Sequence, residues 1–112
     1  PTITNPTTAP FSEEVAESQK VSTITRDLTN GVVGEDVQRL QVFLNNMGYF
    51  VATTGFGSPG NETEFFGPLT QAALARYQAA NGISQPAGYY GPNTRWFFFF
   101  FCFLSFVVFS YV

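Results

Sequence analysis

The sequence predicts an all-α protein: a small orthogonal three-helix bundle between a disordered N-terminal tether and an atypical phenylalanine-rich C-terminal helix. A repeated phrase is the first observation, since Phe66–Thr70 (FGPLT) returns 24 residues later as Tyr90–Thr94 (YGPNT). Glycine followed by proline is typical of a helix start, because proline lacks the N–H that has no partner there. Apolar residues at helical spacing, ended twice by glycine, are the second observation. Two related starts predict two helices that enter one bundle in related ways.

The first 24 residues differ in composition from the rest. They are rich in Thr, Ser, Pro and Glu and hold few large apolar groups. Such a segment buries too little surface to offset the entropy of ordering, so we predict a solvated linker over residues 1–24 and a globular domain over 25–95. Because the chain begins at Pro1, we expect it to be a fragment or a processed product.

The first helix is predicted to open at Gly34, with Glu35 and Asp36 in its first turn, where the helix dipole favours negative charge. Gly48 is its predicted stop, and residues 49–51 are expected to be extended and to return to the core. The predicted apolar stripe consists of Val37, Leu40, Phe43, Leu44 and Met47.

A loop of turn-forming residues, 52–65, leads to the second helix. That helix is predicted to run from Pro68 to about Asn81 and to end at Gly82, after which Ile83 folds back onto the core. Pro92 is expected to start the third helix after a turn. The predicted apolar side of the second helix consists of Leu69, Ala73, Leu74, Tyr77 and Ala80.

The segment 96–112 differs in composition from both the linker and the globular domain, because it contains no charged residue, proline or glycine. The internal repeat puts Phe97 in the place of Ala73, Phe98 in that of Leu74 and Phe101 in that of Tyr77. A phenylalanine where a small residue should pack is expected to overfill the core and to destabilise the fold by about 1–3 kcal/mol. Three interpretations stay open: a membrane anchor of roughly 26 Å as a helix, a frame error in the gene, and a helix or strand covered by a partner.

Composition excludes several kinds of chemistry. The net charge of −3 argues against nucleic acid as a partner. There is no histidine and one cysteine, Cys102, which removes the usual catalytic triads, Cys/His zinc sites and internal disulfides. Carboxylates could act in pairs, as in glycoside hydrolysis. However, Glu35 and Asp36 are explained by the helix start, and residues 62 and 64 by a solvated loop. We therefore predict no catalytic residues, no metal and no cofactor.

Three stretches share the order and spacing of a known family. They are Gly34-x-Asp36-Val37-x-x-Leu40-Gln41-x-x-Leu44-x-x-x-Gly48-Tyr49, Phe66-Gly67-Pro68-x-Thr70-x-x-Ala73-Leu74-x-x-Tyr77-Gln78-x-x-x-Gly82-Ile83 and Gly88-x-x-Gly91-Pro92-x-Thr94. Over about residues 25–95 the chain resembles the peptidoglycan-binding domain of bacterial cell-wall proteins. The resemblance implies a compact three-helix fold and a non-catalytic module that holds an attached enzyme against the wall, with the partner domain upstream of Pro1. The loop before Phe66 is longer than in the shortest members and either carries ligand selectivity or has no such role.

Sugars bind to sites that combine flat aromatic faces with hydrogen-bonding groups. We therefore name as candidate ligand-binding residues Tyr49, Phe66, Tyr89, Tyr90, Gln41, Thr70, Arg76, Gln78 and Thr94. Each has an alternative role: core or hinge packing for the aromatic residues, bonding of the neighbouring loop backbone for the glutamines, and plain solvation for Arg76. As a ligand contact, Arg76 would meet the carboxylates of a stem peptide.

The sequence favours an extracytoplasmic protein, in the cell wall or periplasm, whose partner is the glycan strand or the stem peptide of peptidoglycan. The rival hypothesis is a membrane-attached structural or protein-interaction domain anchored through residues 96–112.

Overall fold

The computed structural model describes residues 24–98. Within them lie three helices: α1 (Glu35–Asn46), α2 (Pro68–Ala80) and α3, described over residues 92–98. α1 and α2 pack against each other, and the described residues contain no strand beyond two isolated bridges. The predicted all-α three-helix bundle is confirmed. Most of the predicted tether, and residues 99–112 of the predicted hydrophobic tail, lie outside the described residues.

The helix ends follow the local signals in the sequence. Pro68 is the first residue of α2, preceded by Gly67 in extended conformation. Beyond the other ends of the helices, Gly48 has φ +93° and Gly82 has φ +66°, both in the left-handed region that favours glycine. Asn46 and Ala80 are therefore the last helical residues of α1 and α2.

A short segment before α1, residues 28–33, connects the two repeated phrases. Leu28 and Tyr90 exchange both backbone hydrogen bonds, at 2.9 Å each. Phe66 donates to the carbonyl of Val32 at 2.9 Å and accepts from the N–H of Gly31 at 2.7 Å. The aromatic residue that opens each phrase is thus paired with the same segment, which closes the bundle along one side.

The core is built from aliphatic residues of α1 and α2 around a cluster of aromatic rings. Phe98 of α3 lies inside it, with its ring centroid 4.8 Å from that of Phe43 and 5.3 Å from that of Tyr77. Its members, all at most 5% exposed, are Ile24, Leu28, Val37, Leu40, Phe43, Leu44, Val51, Phe66, Ala73, Leu74, Tyr77, Tyr90 and Phe98. The core thus includes Ile24 and Phe98, which lie just outside the predicted bounds of the domain.

Three residues predicted for the apolar faces lie at the surface instead. Met47 is 41% exposed and Leu69 58% exposed, and Ala80 is exposed as well. Met47 and Ala80 stand where α1 and α2 end, beyond the width of the core. Leu69 precedes Thr70, and because Thr70 points inward, a rotation of about 100° per residue turns Leu69 to solvent.

The third helix accommodates its phenylalanines unequally. Phe98 is 2% exposed, in the core as its counterpart Leu74 is. Phe97 is only partly buried, packed edge-on to Tyr77 at 6.2 Å, whereas its counterpart Ala73 is fully enclosed. Phe97 therefore lies at the rim of the core and not in an enclosed position like that of Ala73, on which the expected overfilling depended. Phe101 lies outside the described residues.

Candidate functional site

Gln41 of α1 is a buried polar residue with a complete set of partners. Its side-chain amide donates to Thr70 Oγ1 at 2.8 Å and to the carbonyl of Phe65 at 3.0 Å, and its Oε1 accepts from the N–H of Thr63 at 2.7 Å. The side chain is 1% exposed. Because a buried amide without partners would destabilise the fold by about 1–3 kcal/mol, these contacts fix the end of the loop against α1.

Gln78 of α2 makes the same three kinds of hydrogen bond with the second repeated phrase and the turn that precedes it. Its amide donates to Thr94 Oγ1 at 3.0 Å and to the carbonyl of Tyr89 at 2.8 Å, and its Oε1 accepts from the N–H of Gly88 at 2.8 Å. Gln78 is 2% exposed and Thr94 is fully buried. The interpretation of both glutamines as residues that bond the neighbouring loop backbone is confirmed. Any further role of these four side chains in ligand binding stays a prediction.

The glycine of each phrase lies beneath an aromatic ring. A Cβ on Gly67 would stand 2.8 Å from Cε2 of Phe65, and the ring of Tyr89 occupies the same place at Gly91. Each glycine thus follows a pair of aromatic residues, Phe65–Phe66 or Tyr89–Tyr90. The first ring of the pair covers the glycine from outside, and the second residue is buried. Phe66 and Tyr90, predicted as ligand contacts, are both fully buried.

The remaining predicted site residues, Tyr49, Arg76 and Tyr89, all reach the surface. Tyr49 is half-buried, edge-on to Tyr77 at a centroid distance of 5.4 Å. Arg76 is exposed and donates to the carbonyl of Phe50 at 2.7 Å. Tyr89 is half-buried, and its hydroxyl donates to the carboxylate of Asp27. The structure records no contact that joins these three residues in one groove.

Hydrogen-bond donors lower the pKa of two carboxyl groups, Asp27 and Asp36, and so favour their ionised form. The Tyr89 hydroxyl and then the Arg95 guanidinium lower the pKa of Asp27 by donating to it. The same contact raises the pKa of Tyr89. These groups are engaged with each other rather than poised for proton transfer at neutral pH.

A second carboxylate, Asp36, pairs with Arg26. The Arg26 guanidinium donates to both Asp36 oxygens, at 2.7 and 3.0 Å, and lowers the pKa of that carboxyl below its usual range. Arg26 also donates to the carbonyl of Val33 at 2.9 Å. This bidentate pair ties the segment before α1 to the first turn of α1.

Within the described residues there is neither a candidate metal site nor a helix that could span a membrane. Across residues 24–98, no group of three or more acidic, histidine or cysteine side chains could hold a metal ion. None of the helices in that part of the chain is long and apolar enough to span a membrane.

A comparison with models of protein families identifies the family of this chain. The model of the peptidoglycan binding domain family matches residues 33–96, which is more than half of the chain and contains both glutamine sites, α1, α2 and the first five described residues of α3. The chain belongs to the peptidoglycan-binding domain family. Searches among curated proteins and among solved structures returned no significant match.

Sequence reasoning missed one feature of this peptidoglycan-binding domain. The connection between α1 and α2 is an ordered loop that holds Phe56 87% exposed. The sequence carries a signal for it, because Phe56 stands between Gly55 and Gly57 in a stretch otherwise made of small polar residues. The buried anchor of the loop, Asn45, lies on α1 and gives no such signal.

Proposed function

We propose that this peptidoglycan-binding domain is a non-catalytic module that holds an attached domain against the bacterial cell wall. The observation that carries the proposal is the family match over residues 33–96. The described structure supports it, because the hydrogen bonds Gln41–Thr70 and Gln78–Thr94 hold the two repeated phrases against α1 and α2 within the matched residues.

The candidate ligand residues divide into two groups by exposure. Tyr89, Tyr49 and Arg76 have surface to offer to a ligand. The fully or nearly buried members position that surface from within, namely Gln41, Phe66, Thr70, Gln78, Tyr90 and Thr94. We propose that members of the first group contact peptidoglycan and that members of the second hold the loops on which the contacts stand.

A non-catalytic role is supported by the partners of three carboxylates and by the pKa shifts of two of them. Asp27 and Asp36 are paired with arginines. Glu62 accepts from the amide of Asn45 at 2.8 Å and helps to hold the loop. General acid catalysis by a carboxyl group needs a raised pKa, whereas the shifts at Asp27 and Asp36 are downward.

Co-sedimentation with purified, insoluble peptidoglycan sacculi tests the binding. We expect the 112-residue chain to appear in the pellet in a saturable manner, and to remain in the supernatant with cellulose as a matched insoluble polymer. A chain that stays in solution with sacculi at every concentration contradicts the proposal.

Targeting is tested separately by fusing a fluorescent protein upstream of Pro1. The fusion is expected to label isolated sacculi, and the free fluorescent protein is not. If the chain alone sediments but the fusion does not label sacculi, wall binding stands and the targeting role is wrong.

A further inference from the structure

The turn at residues 55–61, which we call the Phe56 loop, is held by its own backbone. Gly57 N–H donates to the Asn61 carbonyl at 2.8 Å, and Asn61 N–H donates to the Ser58 carbonyl at 2.7 Å. Gly55 and Gly57, on either side of Phe56, have φ +74° and +93°, a region that other residues rarely adopt. The glycines thus allow a compact turn whose tip presents Phe56.

The Phe56 loop is also fastened from beneath by a buried asparagine. Asn45, 4% exposed, donates to the carbonyl of Gly57 at 3.0 Å and to the Glu62 carboxylate at 2.8 Å. Its Oδ1 accepts from the N–H of Val51 at 2.8 Å. This side chain joins α1, the start of the connection and its far end, so Phe56 stands on a fixed support.

A second exposed ring lies beside the same support. Phe50 is 46% exposed and directly precedes Val51. A Cβ on Gly57 would lie 3.0 Å from Val51 Cγ1, so the backbone that carries Phe56 packs directly on the residue that follows Phe50. Because the backbone that carries Phe56 is already held, binding would have to order only the Phe56 side chain and not the turn itself.

The stretch of chain that carries these two rings has no charge of its own and is rich in hydrogen-bonding groups. The stretch 47–61 contains no charged side chain, and Thr53, Thr54 and Asn61 are exposed within it. Two charged side chains of opposite sign border this stretch: Arg76 donates to the backbone carbonyl of Phe50 at 2.7 Å, and the Glu62 carboxylate accepts from the N–H of Gly60 at 3.3 Å. The carboxylates of stem peptides would therefore meet one charge of each sign, whereas the glycan strand offers sugar ring faces, hydroxyl groups and amides to the exposed rings and polar groups.

We propose that the Phe56 loop, together with Phe50, is the contact surface for the glycan strand of peptidoglycan, with the Phe56 ring lying on the face of a sugar ring. This inference rests on the proposed function and specifies which component of the wall is bound. It also gives the long connection between α1 and α2 a role in ligand selection.

The test uses two soluble probes prepared from sacculi with an amidase that cuts between sugar and peptide: the peptide-free glycan strands and the released stem peptides. Binding of the 112-residue chain to each probe is measured by calorimetry, alongside co-sedimentation with whole sacculi. The expected result is binding to the glycan strands, with binding to the stem peptides at least about tenfold weaker.

Four variants separate ring stacking from generic apolar contact. Phe56→Ala and Phe56→Leu are expected to weaken binding to glycan strands by about tenfold, and Phe56→Trp to retain it, because only the ring offers a flat face. Leu69→Ala is the matched control, since it removes exposed apolar surface elsewhere, on α2. Thermal unfolding of each variant verifies that the fold is intact.

The outcomes are distinguishable. If wild-type chain fails to sediment with sacculi, the proposed function itself is wrong. If it sediments but binds stem peptides in preference to glycan strands, or if Phe56→Ala binds glycan strands as wild type does, only the inference is overturned. Full binding of glycan strands by Phe56→Leu would overturn the stacking of the Phe56 ring on a sugar, and loss of a dimer as the sole effect of Phe56→Ala would instead identify an apolar surface for a second copy of the chain.

Discussion

Gly88 shows at the scale of one residue how tightly the second turn is packed. Its φ is +77°, and a Cβ placed on it would stand 2.7 Å from the backbone carbonyl oxygen of Gln71 in α2. Its N–H donates to the buried Oε1 of Gln78 at 2.8 Å. Conformation and space therefore restrict this position to glycine, and the hydrogen bond additionally excludes proline.

We expect Gly88→Ala to lower the free energy of unfolding by about 2–3 kcal/mol, since backbone strain and a clash with α2 add together. Gly82→Ala is the matched control, because Gly82 also has a positive φ, +66°, but nothing lies within 4 Å of its Cβ position. It should lose only about 1 kcal/mol. Urea unfolding measures both, and equal losses would show that the contact with Gln71 has no effect.

A second effect at residue scale concerns pH. The Asp36 carboxyl, paired with Arg26, has a folded-state pKa below its ordinary 3.8. A carboxyl group whose pKa is lower in the folded state stabilises the fold fully above the unfolded-state value of about 3.9. That contribution is lost as the pH falls through the lower folded-state pKa.

We therefore expect Asp36→Asn to have a lower urea midpoint than wild type at neutral pH, and the difference to shrink as the pH falls below about 3.9, because the wild-type carboxyl then becomes protonated too. Glu35→Gln is the control, because the Glu35 side chain is 81% exposed and lies 3.9 Å from Arg39. A gap between wild type and Asp36→Asn that persists unchanged in acid would contradict this account.

At the scale of elements, α3 is fastened to the other two helices mainly through Phe98. Its ring contacts those of Phe43, Tyr77 and Tyr90 at centroid distances of 4.8, 5.3 and 5.5 Å. Gln85, from the preceding turn, accepts the N–H groups of Asn93 and Thr94 at 2.9 and 3.1 Å and so satisfies the start of α3. The helix thus has a polar contact at its beginning and an aromatic contact one turn later.

Phe98→Ala is expected to destabilise the domain by about 3–5 kcal/mol through loss of buried surface and the cavity left behind. Phe98→Leu, which restores the residue type found at the equivalent position in α2, should lose less than about 1.5 kcal/mol. Leu69→Ala, at a site 58% exposed, should change stability by less than about 0.5 kcal/mol. Thermal and urea unfolding give these values, and a tolerated Phe98→Ala would show that α3 does not depend on this ring.

The elements also show why sequence patterns predicted some features and missed others. Gly-Pro starts and glycine stops act within a few residues, so the bounds of α1 and α2 agreed with prediction. Burial near the helix ends depends on what the rest of the chain places there, so Met47 and Leu69 were assigned to the wrong environment. The candidate aromatic residues were chosen by type, and the pattern could not tell that Phe66 faces inward while its neighbour Phe65 stays 52% exposed.

At the scale of the whole molecule, segment 28–33 holds two similar halves together. One half contains Gln41 and Phe66, and the other contains Gln78 and Tyr90. Sequence analysis did not predict this pairing, because Leu28 and Tyr90 are 62 residues apart and no local signal joins them. The described domain should therefore unfold as one unit rather than half by half.

Native-state hydrogen exchange tests that expectation. The amides of Leu28, Gly31, Phe66 and Tyr90, all hydrogen-bonded between segments, should exchange only through global unfolding, with the same free energy as the central amides of α1 and α2. The exposed residues Gly55 and Phe56 of the Phe56 loop serve as an internal comparison. Early exchange of Leu28 and Tyr90, with α1 and α2 still protected, would mean that the halves separate first.

The buried amides of Gln41 and Gln78 have a consequence for engineering. Both amides donate to partners inside the fold, so the core closes without the exposed side chains of the connection between α1 and α2. Replacing Thr53, Thr54 and Phe56, with Asn45 and Gly57 retained, should give proteins that share one interior and differ in what they bind.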